Sequence, residues 1–136
     1  MKIFQSIKWS LPLLLLLLIG WTACSKSQTD HKLNGRWNRV FVQNLTDTMP
    51  YEDWEFLGSE EFRIYYLRPG ICDTCYIRGN YKLDTYRDVS LSGSMSEGFP
   101  GHYSGKWRIV KLKKDVLIMT KQEDPGGLTF REFVKL

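Results

Sequence analysis

The chain has 136 residues, a formal net charge of +4, and 43% hydrophobic, 14% aromatic and 25% charged residues. That length suits one small domain with a single core rather than several domains. Two of the positive charges, Lys2 and Lys8, stand in an acid-free N-terminus, so the basic balance of the whole chain gives no argument for nucleic-acid binding. The first element in chain order is a leader: Lys2 and Lys8, an uncharged apolar run over 11–19, then Gly20, Thr22 and Ala23 as small residues near a cut. This is the three-part layout of a secretory signal peptide. The uncharged run between Trp9 and Cys24 is shorter than the roughly 20 residues of a spanning helix, and Pro12 argues against a stable helix there.

Thr22-Ala23-Cys24 resembles the cleavage and lipidation signal of bacterial lipoproteins, with Trp21 where that signal usually carries Leu. The resemblance implies three segments: a signal peptide over 1–23, a lipidated Cys24 with a polar tether over 24–32, and a folded domain over 33–136. It implies two or three acyl chains, palmitate among them, on Cys24, and durable attachment, because one chain alone binds only marginally. The implied location is the bacterial cell envelope, at the outer membrane facing the periplasm, with surface exposure as the alternative. Cysteine arithmetic agrees: Cys72 and Cys75 are spaced to pair with each other, and an unmodified Cys24 would be an odd thiol in an oxidising compartment. An ordinary secreted chain and a retained membrane anchor are the other readings of the leader.

Beyond the leader the chain is rich in Tyr, Trp, Phe, Val and Ile and interrupted by Gly, Pro, Asp and Ser, a composition suited to strands. Alternation predicts eight strands, near 36–43, 53–57, 61–67, 76–83, 88–93, 103–112, 116–121 and 128–135. Phe62, Ile64 and Tyr66 share one face. So do Ile77, Gly79, Tyr81 and Leu83, with Arg78, Asn80 and Lys82 opposite. Tyr103, Gly105, Trp107 and Ile109 form a third set. Leu128, Phe130 and Val134 form a fourth, with Arg131 and Lys135 opposite. Gly58-Ser59, Arg68-Pro69-Gly70, Lys113-Lys114-Asp115 and Pro125-Gly126-Gly127 supply the turns. Short connections favour antiparallel pairing. The fold class is therefore all-β: an antiparallel up-and-down barrel of eight strands, which hides its edges by closure, with a two-sheet sandwich as the alternative.

Few residues offer chemistry. Cys72-Asp73-Thr74-Cys75 fits a structural disulfide, a redox dithiol or half a metal site. Without a βαβ pattern or a following helix, a disulfide pinning a loop is the plainest of these, contributing only about 2 kcal/mol for so short a loop. His31 falls in the tether and His102 in the loop after Gly98, so no four-ligand metal set forms. A nucleophilic triad would have to use His102, and no Gly-x-Ser-x-Gly elbow accompanies it. Ser92-Gly93-Ser94 reads as a turn. Glu52, Asp53, Glu55, Glu60 and Glu61 alternate with Trp54, Phe56 and Phe62 and read as a solvated strand face rather than paired catalytic carboxylates. Lys106, Arg108, Lys111, Lys113 and Lys114 read as a solvated edge, or as a contact to anionic lipid headgroups. No cofactor, metal or enzymatic activity is indicated.

Leu33-Asn34-Gly35-Arg36-Trp37 resembles the opening of lipocalin-like domains, in which Gly-x-Trp starts the first strand. Gly79-Asn80-Tyr81-Lys82-Leu83 is similar to a mid-domain strand of small lipoprotein members, Trp107-Arg108-Ile109 with Leu112, Leu117 and Ile118 to their penultimate hairpin, and Phe130-Arg131-Glu132-Phe133 to their closing strand. The resemblance implies a barrel closed at one end by Gly35 and Trp37, with Arg131 stacked on the indole. Trp54, Tyr66, Tyr81, Tyr103 and Trp107 are the candidates to point inward, where they either line a site for a small hydrophobic ligand, with Gly98-Phe99-Pro100-Gly101 as a loop at its mouth, or, as large rings in so short a chain, mostly fill the interior. The alternative is a protein-interaction lipoprotein, an envelope-complex accessory subunit or a lysozyme-inhibitor-like module, with Tyr51, Phe99 and Phe133 as exposed anchors. Asp47-Thr48-Met49 resembles a short bacterial O-glycosylation acceptor.

Overall fold

The computed structural model describes residues 25–41, 51–58, 60–122 and 129–136. The leader, Cys24, Asp47-Thr48-Met49, Ser59, Leu128 and Pro125-Gly126-Gly127 lie outside the described residues. A helix, α1, runs through 25–33. Eight strands follow: β1 (Gly35–Arg39), β2 (Asp53–Leu57), β3 (Glu61–Tyr65), β4 (Tyr76–Leu83), β5 (Asp88–Ser92), β6 (Gly105–Leu112), β7 (Val116–Lys121) and β8 (Phe130–Lys135). They form one closed barrel in chain order, and β1 pairs antiparallel with both β2 and β8. Closure leaves no strand edge open to another chain, which is the physical advantage of a barrel over a two-sheet sandwich for short strands.

Alternation sets which residues enter the core. Trp37, Trp54, Phe56, Phe62, Ile64, Trp107 and Phe133 are fully buried. In β4, Gly79, Tyr81 and Leu83 turn inward while Arg78, Asn80 and Lys82 face solvent. In β6 the register shifts between Ile109 and Lys111. This bulge turns Val110 outward and lets both Ile109 and Leu112, three residues apart, pack on the interior.

Two strands depart from the prediction, β3 in length and β8 in phase. β3 ends at Tyr65, so Tyr66 leaves the ladder and is 39% exposed, while Phe62 and Ile64 stay inside. In β8 the inward residue is Phe133, and Phe130 and Val134 face out. A one-residue change of phase exchanges both faces of a strand. Here the pairing of β8 with β1, Trp37 opposite Lys135 and Arg39 opposite Phe133, decides it.

The two ends of the barrel are built differently. At the helix end, α1 occupies the segment expected to be a polar tether and packs across the opening. Leu33 is fully buried in the core, and the Trp37 Nε1–H donates to the Leu33 carbonyl at 2.7 Å. The Tyr81 hydroxyl donates to Asp30 Oδ1 at 2.9 Å, and Thr29 Oγ1 donates to the Tyr86 carbonyl at 3.1 Å. The cation over Trp37 is Lys135, with Nζ 5.0 Å from the ring centroid, and not Arg131, which stands about 13 Å further along the same strand. Lys135 Nζ also donates to the Asn34 carbonyl at 3.0 Å. Gly35 makes this arrangement accessible: its φ is +125°, and a Cβ there would meet Lys135 Cε at 2.9 Å.

Candidate functional site at the loop end of the barrel

At the opposite end, the β5–β6 connection folds back over the opening. It contains two single 3₁₀ turns, Met95–Glu97 and Gly101–Tyr103. Between them Phe99 inserts into the barrel and is 2% exposed. Gly79 and Gly93 make room for it: a Cβ at Gly79 would lie 2.5 Å from Phe99 Cε2 and 2.8 Å from the Ser92 carbonyl oxygen, and one at Gly93 would overlap the same ring. The Gly98-to-Gly101 loop is thus a plug with its aromatic inside, and Phe99 and Phe133, both expected as exposed anchors, are core residues.

Behind the plug the interior is filled by rings. Trp54 lies at its centre, with ring centroids of Phe62, Tyr103, Trp107 and Phe133 at 5.2, 5.3, 5.4 and 4.8 Å. The first three pairs are edge-to-face and the Phe133 ring is tilted by 45°; aromatic pairs of this kind contribute about 0.5–1.5 kcal/mol each beyond burial itself. The residues expected to line one ligand site are therefore divided. Trp54, Tyr103 and Trp107 fill the core, Tyr81 belongs to the helix end with Asp30, and Tyr66 stands on the rim. An eight-stranded barrel is just wide enough for side chains to fill it, and these are among the largest available.

Glu52 closes the loop end from within. It is 4% exposed. Its Oε1 accepts from Trp54 Nε1–H at 2.6 Å, and its Oε2 accepts from the Tyr103 hydroxyl at 2.8 Å and from the Arg39 guanidinium at 2.9 Å. Burial pushes the Tyr103 phenol well above its ordinary range, and the Glu52 charge adds to the shift. Tyr66 is raised for the same two reasons. The expectation of a solvated acidic face fails at two positions. The first is Glu52, which shares the parity of Trp54 and Phe56 and so points inward. The second is Asp53, on the outer face yet fully buried under Arg36, Asn38 and Tyr51. The Arg36 contact is 2.7 Å, and the Tyr51 phenol is pushed up to about 12 by burial and by its hydrogen bond to Asp53.

From Asp53 a network spreads across the outer face of β1–β4. Register brings Arg36, Glu55, Arg63 and Arg78 into one row. Arg63 bonds Glu61 at 2.7 Å and Arg78 reaches the same carboxylate at 3.3 Å. Arg36 stacks on Tyr65 at 3.7 Å and Arg63 on Tyr76 at 4.4 Å. Glu61 is held below the ordinary carboxylate range by its hydrogen bond from Arg63.

On the rim, Cys72 and Cys75 lie at disulfide distance, with Cα atoms 5.4 Å apart, and Asp73 Oδ1 accepts from the Gly70 N–H at 3.0 Å. The cross-link shapes a loop that exposes Leu67 and Ile71, the latter 68% accessible. Met95 and Phe130 are exposed at the same end, at 77% and 51%. His31 is exposed on α1, and His102 is exposed against the Tyr103 ring at 4.1 Å. Among the described residues no group of three or more His, Cys, Asp or Glu side chains is placed to hold a metal ion, and no helix is long and apolar enough to cross a membrane. The loop at Gly98-Phe99-Pro100-Gly101 does lie over an opening of the barrel, as its sequence suggests, but with Phe99 inserted rather than exposed. The buried Glu52 and the apolar rim are not evident as a site in the sequence, although the even spacing of Glu52 from Trp54 and Phe56 is a signal for its inward side chain. No protein-family model, curated protein or solved structure matches this chain.

Proposed function

We propose that this chain is a non-catalytic, lipid-anchored envelope protein whose lipocalin-like barrel is a rigid mount for a protein partner, as an accessory subunit or as an inhibitor of the lysozyme-inhibitor kind. The observation that carries this reading is the ring cluster at the centre of the barrel. Trp54 packs against four ring neighbours with centroids 4.8 to 5.4 Å away, and so close a cluster favours recognition on the outside. The rim supports it further: Leu67, Ile71, Met95 and Phe130 expose apolar surface at one end, the kind of side chain that anchors protein interfaces. The leader and Cys24 support the anchor, and an anchor there leaves the loop end directed away from the lipid.

The experiment introduces a photo-crosslinking residue at Ile71 in the cell envelope, with Lys82 at the opposite, helix end as control. A discrete protein adduct from position 71 and none from position 82 is expected. Titration with a hydrophobic fluorescent probe separates the other reading, a carrier of one small apolar ligand lined by Trp54, Tyr66, Tyr81, Tyr103 and Trp107. Saturable one-site uptake with quenching of the tryptophans would favour the carrier, because those rings must part to admit a ligand. Absence of such uptake together with the adduct favours the mount.

A further inference from the structure

Two grooves flank α1 at the helix end. One, of about 450 Å³, is lined by Lys26, Asp30, Glu60 and Lys82 among others, so its charges offset one another. The other, of about 540 Å³, is lined by His31, Lys32, Leu112, Lys113, Lys114 and Lys135, with four ammonium groups and no carboxylate. Lys135 is committed to the Asn34 carbonyl and the Trp37 ring. Lys32, Lys113 and Lys114 are exposed, and among the described residues every ion pair is made by an arginine. Charge of one sign, collected in a concave surface and left unneutralised, attracts an extended anionic surface.

The position of α1 says which surface. Ser25, the residue after Cys24, already belongs to a helix packed across this end, through Thr29 to Tyr86, Asp30 to Tyr81 and Leu33 to the core. No length of free tether then separates an acyl group on Cys24 from the barrel. We infer that the lysine-lined helix end docks flush on the anionic phosphate headgroups of the membrane that holds the anchor, with Lys32, Lys113 and Lys114 as the contacts and the loop end pointing away. The inference rests on the lipid-anchor reading for the identity of the membrane, and on the groove for the contact itself. Each lysine near an anionic leaflet contributes about fivefold in residence, the equivalent of about 1 kcal/mol.

The test uses the processed protein purified from the envelope of an expressing bacterium, reconstituted on phosphatidylcholine vesicles with or without phosphatidylglycerol. Lysines are footprinted with a water-soluble acetylating reagent and read by mass spectrometry. Lys32, Lys113 and Lys114 are expected to label several-fold more slowly on the anionic vesicles, while Lys106, at the start of β6 on the loop end, labels equally on both. Salt of about 1 M, which shortens the screening length to about 3 Å, should erase the difference. The double variant K113E/K114E should lose at least about 25-fold in residence, the value for removing two charges, and leave Lys32 unprotected. Equal labelling of all four lysines on both vesicles overturns the docking. Intact mass tests the anchor separately. If Cys24 carries no acyl group, that reading fails, and sedimentation with phosphatidylglycerol vesicles judges the docking alone: salt-reversible binding supports it and no binding overturns it.

Discussion

On the outer face of β1–β4, Arg36, Arg63 and Arg78 are held between carboxylates and tyrosine rings. Around the helix end, Lys32, Lys113 and Lys114 stand in solvent. Each region holds three cations, yet only the helix end leaves them without carboxylate partners among the described residues. The planar guanidinium matches a carboxylate and stacks on an aromatic face, so arginine charge is absorbed into the wall of the barrel. An ammonium on a flexible stem keeps its hydration and its field. The basic run that looks continuous along β6 in the sequence is divided accordingly. Lys106 lies at the loop end, Arg108 pairs with Asp88 at 3.1 Å, and Lys113 and Lys114 belong to the helix end.

The comparison predicts that carboxylates paired with arginine are structural and that the free lysines are not. The largest effect is expected at Glu52. Glu52→Ala leaves the Trp54 N–H, the Tyr103 hydroxyl and the Arg39 charge without their common acceptor, and should destabilise the fold by about 3–5 kcal/mol in urea titration. Glu52→Gln keeps an acceptor and should cost distinctly less. A loss equal to that of Ala would mean that the charge itself, rather than the hydrogen bonds, holds this end.

Alkaline titration comes next. Tyr51, Tyr65, Tyr81 and Tyr103 are all raised above their ordinary 10, chiefly by burial. A phenol raised in the folded state contributes stability that is complete below its unfolded value and is lost as pH climbs toward the folded one. Tyrosinate absorbance should therefore lag behind that of free tyrosine above pH 10 and then rise together with the loss of tryptophan packing. A simple titration with the fold intact would place these hydroxyls in solvent. At the acid end the sign reverses. Glu61, lowered by the hydrogen bond from Arg63, contributes stability that is present above its ordinary 4.5 and is lost as pH falls.

Smaller changes are expected outside the barrel. Arg63→Ala removes half-exposed pairs to Glu55 and Glu61 and should cost about 1 kcal/mol or less. The double variant K113E/K114E should alter the denaturation midpoint by no more than about 0.5 kcal/mol in stability, while changing lipid contact greatly. A large loss of stability there would make the two basic regions alike and remove the distinction between wall and dock.

Much of the barrel is legible from spacing alone. β2, β4 and β7 fall where alternation and turn residues put them, because period two and a Gly, Pro or Lys-Asp break are local properties of a half-buried strand. The facing of β8 is not local. Phe130, Phe133 and Val134 offer apolar residues of both parities, and only pairing with β1 and β7 chooses Phe133 for the core. The burial of Asp53 is likewise invisible in sequence, since its cover comes from Arg36, Asn38 and Tyr51. The order of the strands, the expectation of a lipid-bearing Cys24 and the pairing of Cys72 with Cys75 came from the chain as written. The tertiary structure decided that the segment after Cys24 is a packed helix rather than a tether, that Lys135 rather than Arg131 covers Trp37, and that the aromatics fill the barrel. The reason is one of range: spacing encodes which face a residue takes relative to its neighbours, whereas contact with residues tens of positions away depends on how the barrel closes.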